Sequence, residues 1–128
     1  LELSKVITVG DSETEIIKGL HELYEQCDFV FTSGGLGPTL DDITKTTIAR
    51  FFNLEVKFSE EARAIEKKNY KQFNRELVNG HIYETLPVGF SPLWNPSGFA
   101  PAFYYKTDKN RFILSAPGVP KEFKSIIT

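Results

Sequence analysis

Apolar positions recur along the chain with two periods, and the switches between them mark its elements. "KVITV" (Lys5–Val9) is a short β-branched run closed by Gly10-Asp11 and predicts a strand. Ser12 follows, with Glu15 three residues on, the spacing of a capping box. Ile16, Ile17, Leu20, Leu23, Tyr24 and Cys27 then fall on one face of a helix, with His21 off that stripe and facing solvent. "DFVFT" (Asp28–Thr32) is nearly continuous apolar chain and predicts a strand covered on both faces. A helix is expected from about Ile43 to Phe52, a short strand at "LEVKF", and a long helix from a Ser59 cap to about Asn74. Ala62, Ile65, Asn69 and Phe73 line one side of that last helix.

From Arg75 to Ala100 the periodicity weakens, and Pro87, Gly89, Pro92, Pro96 and Gly98 read as loop punctuation. "PAFYYKT" and "RFILS" predict two strands joined through "DKN" as a hairpin. "APGVP" is a second turn-rich loop, and Pro120 opens a last helix, "KEFKSII". Strand, helix, strand, helix, strand, helix and then a hairpin give an α/β fold with a mostly parallel sheet and an antiparallel part.

Composition narrows the class. The chain has 128 residues, the size of one domain, with 41% hydrophobic and 25% charged residues. The formal net charge is −2 and no Lys/Arg block stands out, which argues against nucleic acid as a partner. "SEEARAIEKKNYK" mixes both signs and reads as a solvated helix face. Cys27 is the one cysteine, so no internal disulfide or thiolate metal site is possible, and its place at the end of an apolar stripe points to packing. No stretch approaches a membrane span and no signal peptide is visible, so no membrane partner is expected and the default location is cytoplasmic. The chain opens on Leu1 and contains no Met, which reads as a piece of something longer.

Candidate chemistry centres on "TSGGLGPTLDDITK" (Thr32–Lys45), between a predicted buried strand and a helix. In an open α/β sheet that is the carboxyl end of a strand, where ligands bind. Glycines let backbone approach a ligand, and the helix start favours an anion, so the geometry suits a phosphate or pyrophosphate. The Gly-Lys-Ser/Thr ending of a P-loop is missing and Lys45 lies a full turn inside the helix; the dinucleotide fingerprint spacing is also absent. Asp41 and Asp42 stand at the helix start. Thr39 and Asp42 have capping-box spacing, and capping is one reading. The other is that a carboxylate beside phosphates implies a Mg²⁺-like ion between them. Asp11 closes the first predicted strand as Asp42 follows the second, so neighbouring strands would set both on one rim, able to hold a metal against a pyrophosphate.

The stretch "GGLGPTLDDIT" resembles the signature of the molybdopterin-binding (MoCF) superfamily, and within it the CinA-like branch. "VGDSETEI", "NPSGFAP" and "APGVPKEF" support it in order and spacing, over nearly the whole chain. The resemblance implies a three-layer α/β/α domain with a mixed sheet, lacking the family's first strand and helix. It implies a pocket of Gly34, Gly35, Gly37, Thr39, Asp42 and Thr44, facing Pro117, Gly118 and Pro120. Asn95 and Gly98 join as ligand-binding positions, and Asp42 and Asp11 as catalytic and metal-binding ones. A divalent metal such as Mg²⁺, a phosphate-bearing nucleotide or pterin ligand, and a homo-oligomeric state are implied with it. CinA-like domains are associated with hydrolysis of ADP-ribose-type pyrophosphates; the molybdenum-cofactor relatives bind or adenylylate molybdopterin, but more often show "GGTG" and an Arg before the key Asp, where this chain has Leu36 and Asp41. The chain departs from the CinA pattern at Phe99, where relatives carry Thr, and at Ile82-Tyr83, where they carry Lys-Gln. His81 lies nearby and reads as a surface-loop histidine. Those departures keep open a third reading, a domain that binds a nucleotide without turnover. Trp94, in a Pro-rich loop, reads as packing rather than base stacking.

Overall fold

The structure is a computed structural model and describes residues 2–75 and 83–128. His81 and Ile82 lie outside the described residues. The elements run α1 (Glu13–Gln26), β1 (Phe29–Ser33), α2 (Thr44–Phe51), β2 (Val56–Phe58), α3 (Glu60–Lys71), β3 (Thr85–Pro87), β4 (Ser91–Leu93), β5 (Ala102–Lys106), β6 (Phe112–Ala116) and α4 (Pro120–Ile127). Four strands form one sheet in the order β1-β6-β5-β4, and β2 pairs with β3 in a second, antiparallel ribbon. β1 and β6 are parallel; β6–β5 and β5–β4 are antiparallel.

Period-two alternation on the strands builds three layers. Val30, Phe103 and Ile113 point to one face and pack with Leu20 of α1, Ile48 of α2 and Ala62 of α3. Ala102, Leu114 and Ala116 point to the other, where Phe123 and Ile126 of α4 cover them. Ile48 and Ile113 are essentially fully buried, and each such side chain stabilises by roughly 1.5–3 kcal/mol relative to exposure. Phe51, Phe52, Phe90, Phe103 and Tyr105 interlock edge to face or stacked, as core aromatics do.

Local signals act largely as expected. Ser59 Oγ accepts from Ala62 N at 3.1 Å and caps α3. Pro120 opens α4. Asn110, at φ 60, turns the β5–β6 hairpin in the left-handed region that Asn tolerates. His21 is exposed beside Glu25, and Cys27 packs half-buried against the core.

Four expectations are corrected. "KVITV" joins no ladder: it runs along α1, where Val9 and Ile7 lie over Gly19 and Lys5 pairs with Glu22. A cavity of about 410 Å³ separates it from β1, so its backbone has no strand to pair with. β1 is therefore an edge strand, not one covered on both faces, and Phe29 and Phe31 are 49% and 45% exposed. That also explains why parallel pairing among the described residues is confined to β1–β6. Ser12 makes no side-chain cap bond; Glu15 reaches further back and accepts from Gly10 N at 2.9 Å. The stretch expected as loop contains β3 and β4, short strands whose prolines sit in edge positions.

Candidate functional site

Gly34 continues the β1–β6 ladder, donating to Ala116 O at 2.9 Å, and then the chain turns sharply through two positive φ angles, 102° at Gly34 and 70° at Gly35. A Cβ on Gly35 would stand 1.9 Å from Thr44 Oγ1, so only glycine fits against the first residue of α2. Thr44 N in turn donates to Gly35 O at 3.2 Å, tying the loop to the helix start. Leu36 is buried in the core and anchors the turn. Across the rim, a Cβ on Gly118 would lie 3.1 Å from Gly34 Cα, so the loops leaving two adjacent parallel strands touch backbone to backbone. The carboxyl ends of β1 and β6 thus carry the site, as in other open α/β sheets.

Two cavities open beside the glycine loop. The smaller, about 190 Å³, is lined by Thr39, Asp42, Lys45, Tyr83 and Thr85. The larger, about 450 Å³, lies toward Phe99, Pro117, Gly118 and Glu122. Gly35, Leu36, Gly37, Asp42 and Tyr83 border both.

Asp42 is not a helix cap, because α2 starts two residues later and its N-cap is Ile43. Its Oδ2 accepts from Thr39 Oγ1 at 2.6 Å and Thr39 N at 3.0 Å, while Asp42 N donates back to Thr39 O at 3.0 Å. The Thr39 hydroxyl above all, with the Thr39 and Gly37 amides, holds its carboxyl below the usual carboxylate range. The site therefore carries an ionised carboxylate at the junction of its two cavities. Burial pushes the Tyr83 phenol up to about 12, with the charges of Asp42, Glu66 and Glu122 adding, so Tyr83 stays neutral and can donate a hydrogen bond.

The expected site residues separate into groups. Gly34, Gly35, Gly37 and Asp42 meet Pro117 and Gly118 across the larger cavity, and Thr39 lines the smaller. Thr44 is buried behind the loop. Asp11 is exposed and lines the cavity on the far side of Gly34 and Gly35, and no described cavity contains both it and Asp42. The pairing of those two carboxylates on one rim is corrected: it required the first predicted strand beside β1. Asn95 is fully buried, its Nδ2 donating to Ala100 O at 2.8 Å and its Oδ1 accepting from Ser97 N at 3.0 Å. Gly98 is also buried, accepting from Gln72 Nε2 at 3.1 Å, so these two shape the loop from within; Phe99 and Ala100 reach the larger cavity instead. Trp94 packs beneath Lys68, whose Nζ is 3.9 Å from the ring centroid.

Lys45, expected a full turn inside the helix, is instead the second residue of α2, and neither it nor Glu66 was among the expected site residues. Lys45 lines the smaller cavity and donates to Thr85 Oγ1 at 3.0 Å. Glu66, set in a stretch that reads as solvated, is fully buried, and no periodicity pointed to it.

Among the described residues no three His, Cys, Asp or Glu side chains come together to hold a metal. Asp42 is the carboxylate that borders both cavities.

A glycine loop and a carboxylate on the rim of a three-layer α/β/α sheet define an α/β domain class with its cavities at the strand ends, and one family accounts for the whole chain. It belongs to the probable molybdopterin binding domain family, which matches residues 1–128. Within that family its likeness is to CinA-type proteins. It is 36% identical to a putative competence-damage inducible protein of Pediococcus pentosaceus, over 99% of this chain and 31% of that protein. It is 32% identical to a CinA-like protein of Salinibacter ruber, over 98% and 31%. The CinA crystal structure from Thermoplasma acidophilum, whose function is given as unknown, superposes with a TM-score of 0.78 at 31% identity, over 91% of this chain and 68% of that one. The chain thus spans about a third of the two named competence-damage and CinA-like relatives. No helix among the described residues is long and apolar enough to cross a membrane.

Proposed function

We propose that the domain binds a nucleotide pyrophosphate over the glycine loop and hydrolyses it, with ADP-ribose-like pyrophosphates as the substrate class. One observation carries the reading: an ionised Asp42 stands where the two cavities meet, against glycines that admit a ligand close to backbone. The larger cavity has the volume of a small-ligand site. In this reading the loop amides hold the phosphates and Asp42 orients a water toward one phosphorus. The water oxygen bonds to that phosphorus as the bridging P–O bond breaks, the leaving phosphate keeps the bond's electron pair, and the water's protons pass to solvent, giving two phosphate monoesters. Asp42 would be the residue to hold a divalent ion, and such an ion would supply charge neutralisation as the bond breaks. Asp11, on the separate cavity, has no part in that step.

A second reading, molybdopterin binding or adenylyl transfer, is favoured by the description of the matching family. A third, binding without turnover, is favoured by Tyr83 and Phe99, which bring a neutral phenol and an apolar ring to the larger cavity. The test is hydrolysis of ADP-ribose, FAD and ATP with Mg²⁺, Mn²⁺ or Co²⁺ in turn. Metal-dependent turnover lost on Asp42→Ala supports hydrolysis. Tight binding of one compound with no turnover supports the third reading, and molybdopterin bound in preference to all three supports the second.

A further inference from the structure

The larger cavity has a charge pattern that a phosphate alone does not explain. Among the described residues no lysine or arginine lines it, and its charged side chains are two carboxylates, Asp42 and Glu122. Asp42 is engaged by Thr39. Glu122 comes from the first turn of α4 and is half-buried. Its carboxylate rests against the buried Gly98, where a Cβ would stand 1.9 Å from Oε1, so the space it fills depends on that residue being glycine. Its charge, like that of Asp42, reaches the phenol of Tyr83, which lines the same cavity. Among the described residues the Glu122 carboxylate accepts no hydrogen bond and pairs with no cation; only its backbone carbonyl is engaged, by Ser125 Oγ.

Ionised carboxylates only accept hydrogen bonds, so this wall disfavours a phosphate beside Glu122 and suits uncharged donors. A hard cation would draw on further oxygen ligands, but the side chains next to Glu122 are apolar: Val119, three residues before it, and Phe99, which follows Gly98. An apolar lining with a few placed polar groups is how a pocket holds a small organic ligand and fixes its orientation. In a nucleotide the uncharged donors next to the phosphates are the ribose hydroxyls, and a carboxylate is the group that dinucleotide sites set against them. At about 450 Å³ the cavity has room for a sugar as well as a phosphate over the loop.

We infer that the larger cavity takes the ribose of the ligand, with Glu122 accepting hydrogen bonds from its vicinal hydroxyls and Phe99 and Val119 forming the apolar wall beside it. The inference rests on the nucleotide-pyrophosphate reading and gives that ligand a direction, phosphates at the glycine loop and sugar toward α4. It makes Glu122 a specificity-determining residue that selects a ribonucleotide.

Calorimetric titration in Mg²⁺ buffer with ADP, its 2′,3′-dideoxy counterpart and inorganic pyrophosphate tests it. The wild type is expected to bind ADP at least about ten-fold more tightly than dideoxy-ADP. In Glu122→Ala that preference is expected to shrink to within about two-fold through weaker ADP binding, with dideoxy-ADP and pyrophosphate bound no more weakly than before. Glu122→Gln keeps one acceptor oxygen and is expected to hold an intermediate preference, a gradation that a role in folding alone would not give. Melting temperatures of both variants are measured beside the wild type. ADP and dideoxy-ADP bound equally by the wild type, or a preference that survives intact in Glu122→Ala, would overturn the ribose assignment and leave the nucleotide reading standing. So would a Glu122→Ala protein that binds all three probes more weakly and no longer responds to Mg²⁺, the behaviour of a lost metal ligand. A wild type that binds none of the three probes overturns both.

Discussion

Gly34–Thr39 and Asn95–Pro101 are both loops punctuated by glycine and proline, and both border the larger cavity, yet they direct their polar groups in opposite directions. The first leaves backbone and the Asp42 carboxylate facing open space. The second turns its hydrogen bonds inward. Asn95 bonds to Ala100 O and Ser97 N, Asn69 Nδ2 donates to Phe99 O at 2.8 Å, and Gln72 Nε2 donates to Asn95 O at 2.7 Å and Gly98 O. Three polar residues are thus used to fix one loop's shape so that Phe99 and Ala100 can form a wall. The difference teaches that a motif beside a site can serve it without touching the ligand.

The largest expected effect attacks the inward-bonded loop. Asn95→Ala leaves the part-buried Ala100 O and Ser97 N without their partners and opens a small void where the buried Asn95 side chain stood, at a cost of about 3 kcal/mol. Urea unfolding should show the midpoint falling at unchanged slope. Affinity for ADP-ribose, measured where the variant is still folded, should hold. Lost affinity at wild-type stability would break the comparison and return Asn95 to the ligand.

Fold and site were legible to different depths. The helices and the β5–β6 hairpin announced themselves because apolar period and turn residues agree locally, with the Ser59 cap and Pro120 marking two helix starts. The state of "KVITV" was not legible, since its β-branched residues favour a strand but pairing depends on a neighbour that no local pattern supplies. The glycine loop was readable from composition, because Gly35 answers a contact with Thr44 at the start of the next element along the chain. Asp42's commitment to Thr39 was visible as spacing, though the structure makes it a turn bond rather than a helix cap. Lys45 and Glu66 were not found, because their partnership joins α2 to α3 across the core, and a Glu between exposed Lys and Arg residues carries no sign of burial.

A middle-sized effect probes the outward-facing loop. Gly35→Ala places a methyl against Thr44 Oγ1 at a φ of 70°, costing roughly 2 kcal/mol from left-handed strain and the clash together. Here stability and ADP-ribose affinity should fall together, unlike in Asn95→Ala, because the same backbone holds both. Adding Thr44→Ala removes the clashing hydroxyl and should restore part of the stability, a coupling expected of residues in contact. If the double variant recovers stability and affinity is still lost, the backbone approach at Gly35 is what the ligand needs. If affinity never falls, the loop is scaffold like its neighbour.

The smallest effect separates structural from chemical use of Asp42. Its carboxyl sits below the ordinary range because the Thr39 hydroxyl and the loop amides bind the charged form. A depressed carboxylate contributes stability that is fully present above the unfolded value, near 3.8, and is lost as pH falls through the lower folded one. Asp42→Asn keeps an oxygen for Thr39 but removes the titration. The stability difference between wild type and variant should thus be constant near neutral pH and shrink below about pH 4. The side chain is largely solvated, so screening keeps that difference under about 1 kcal/mol. Turnover of ADP-ribose, by contrast, should be lost at neutral pH, where stability has hardly changed. An Asp42→Asn protein that turns over normally would leave Asp42 a turn-forming residue only, and the glycine loop would then resemble the Asn95–Pro101 loop in using its polar side chain to hold its own shape.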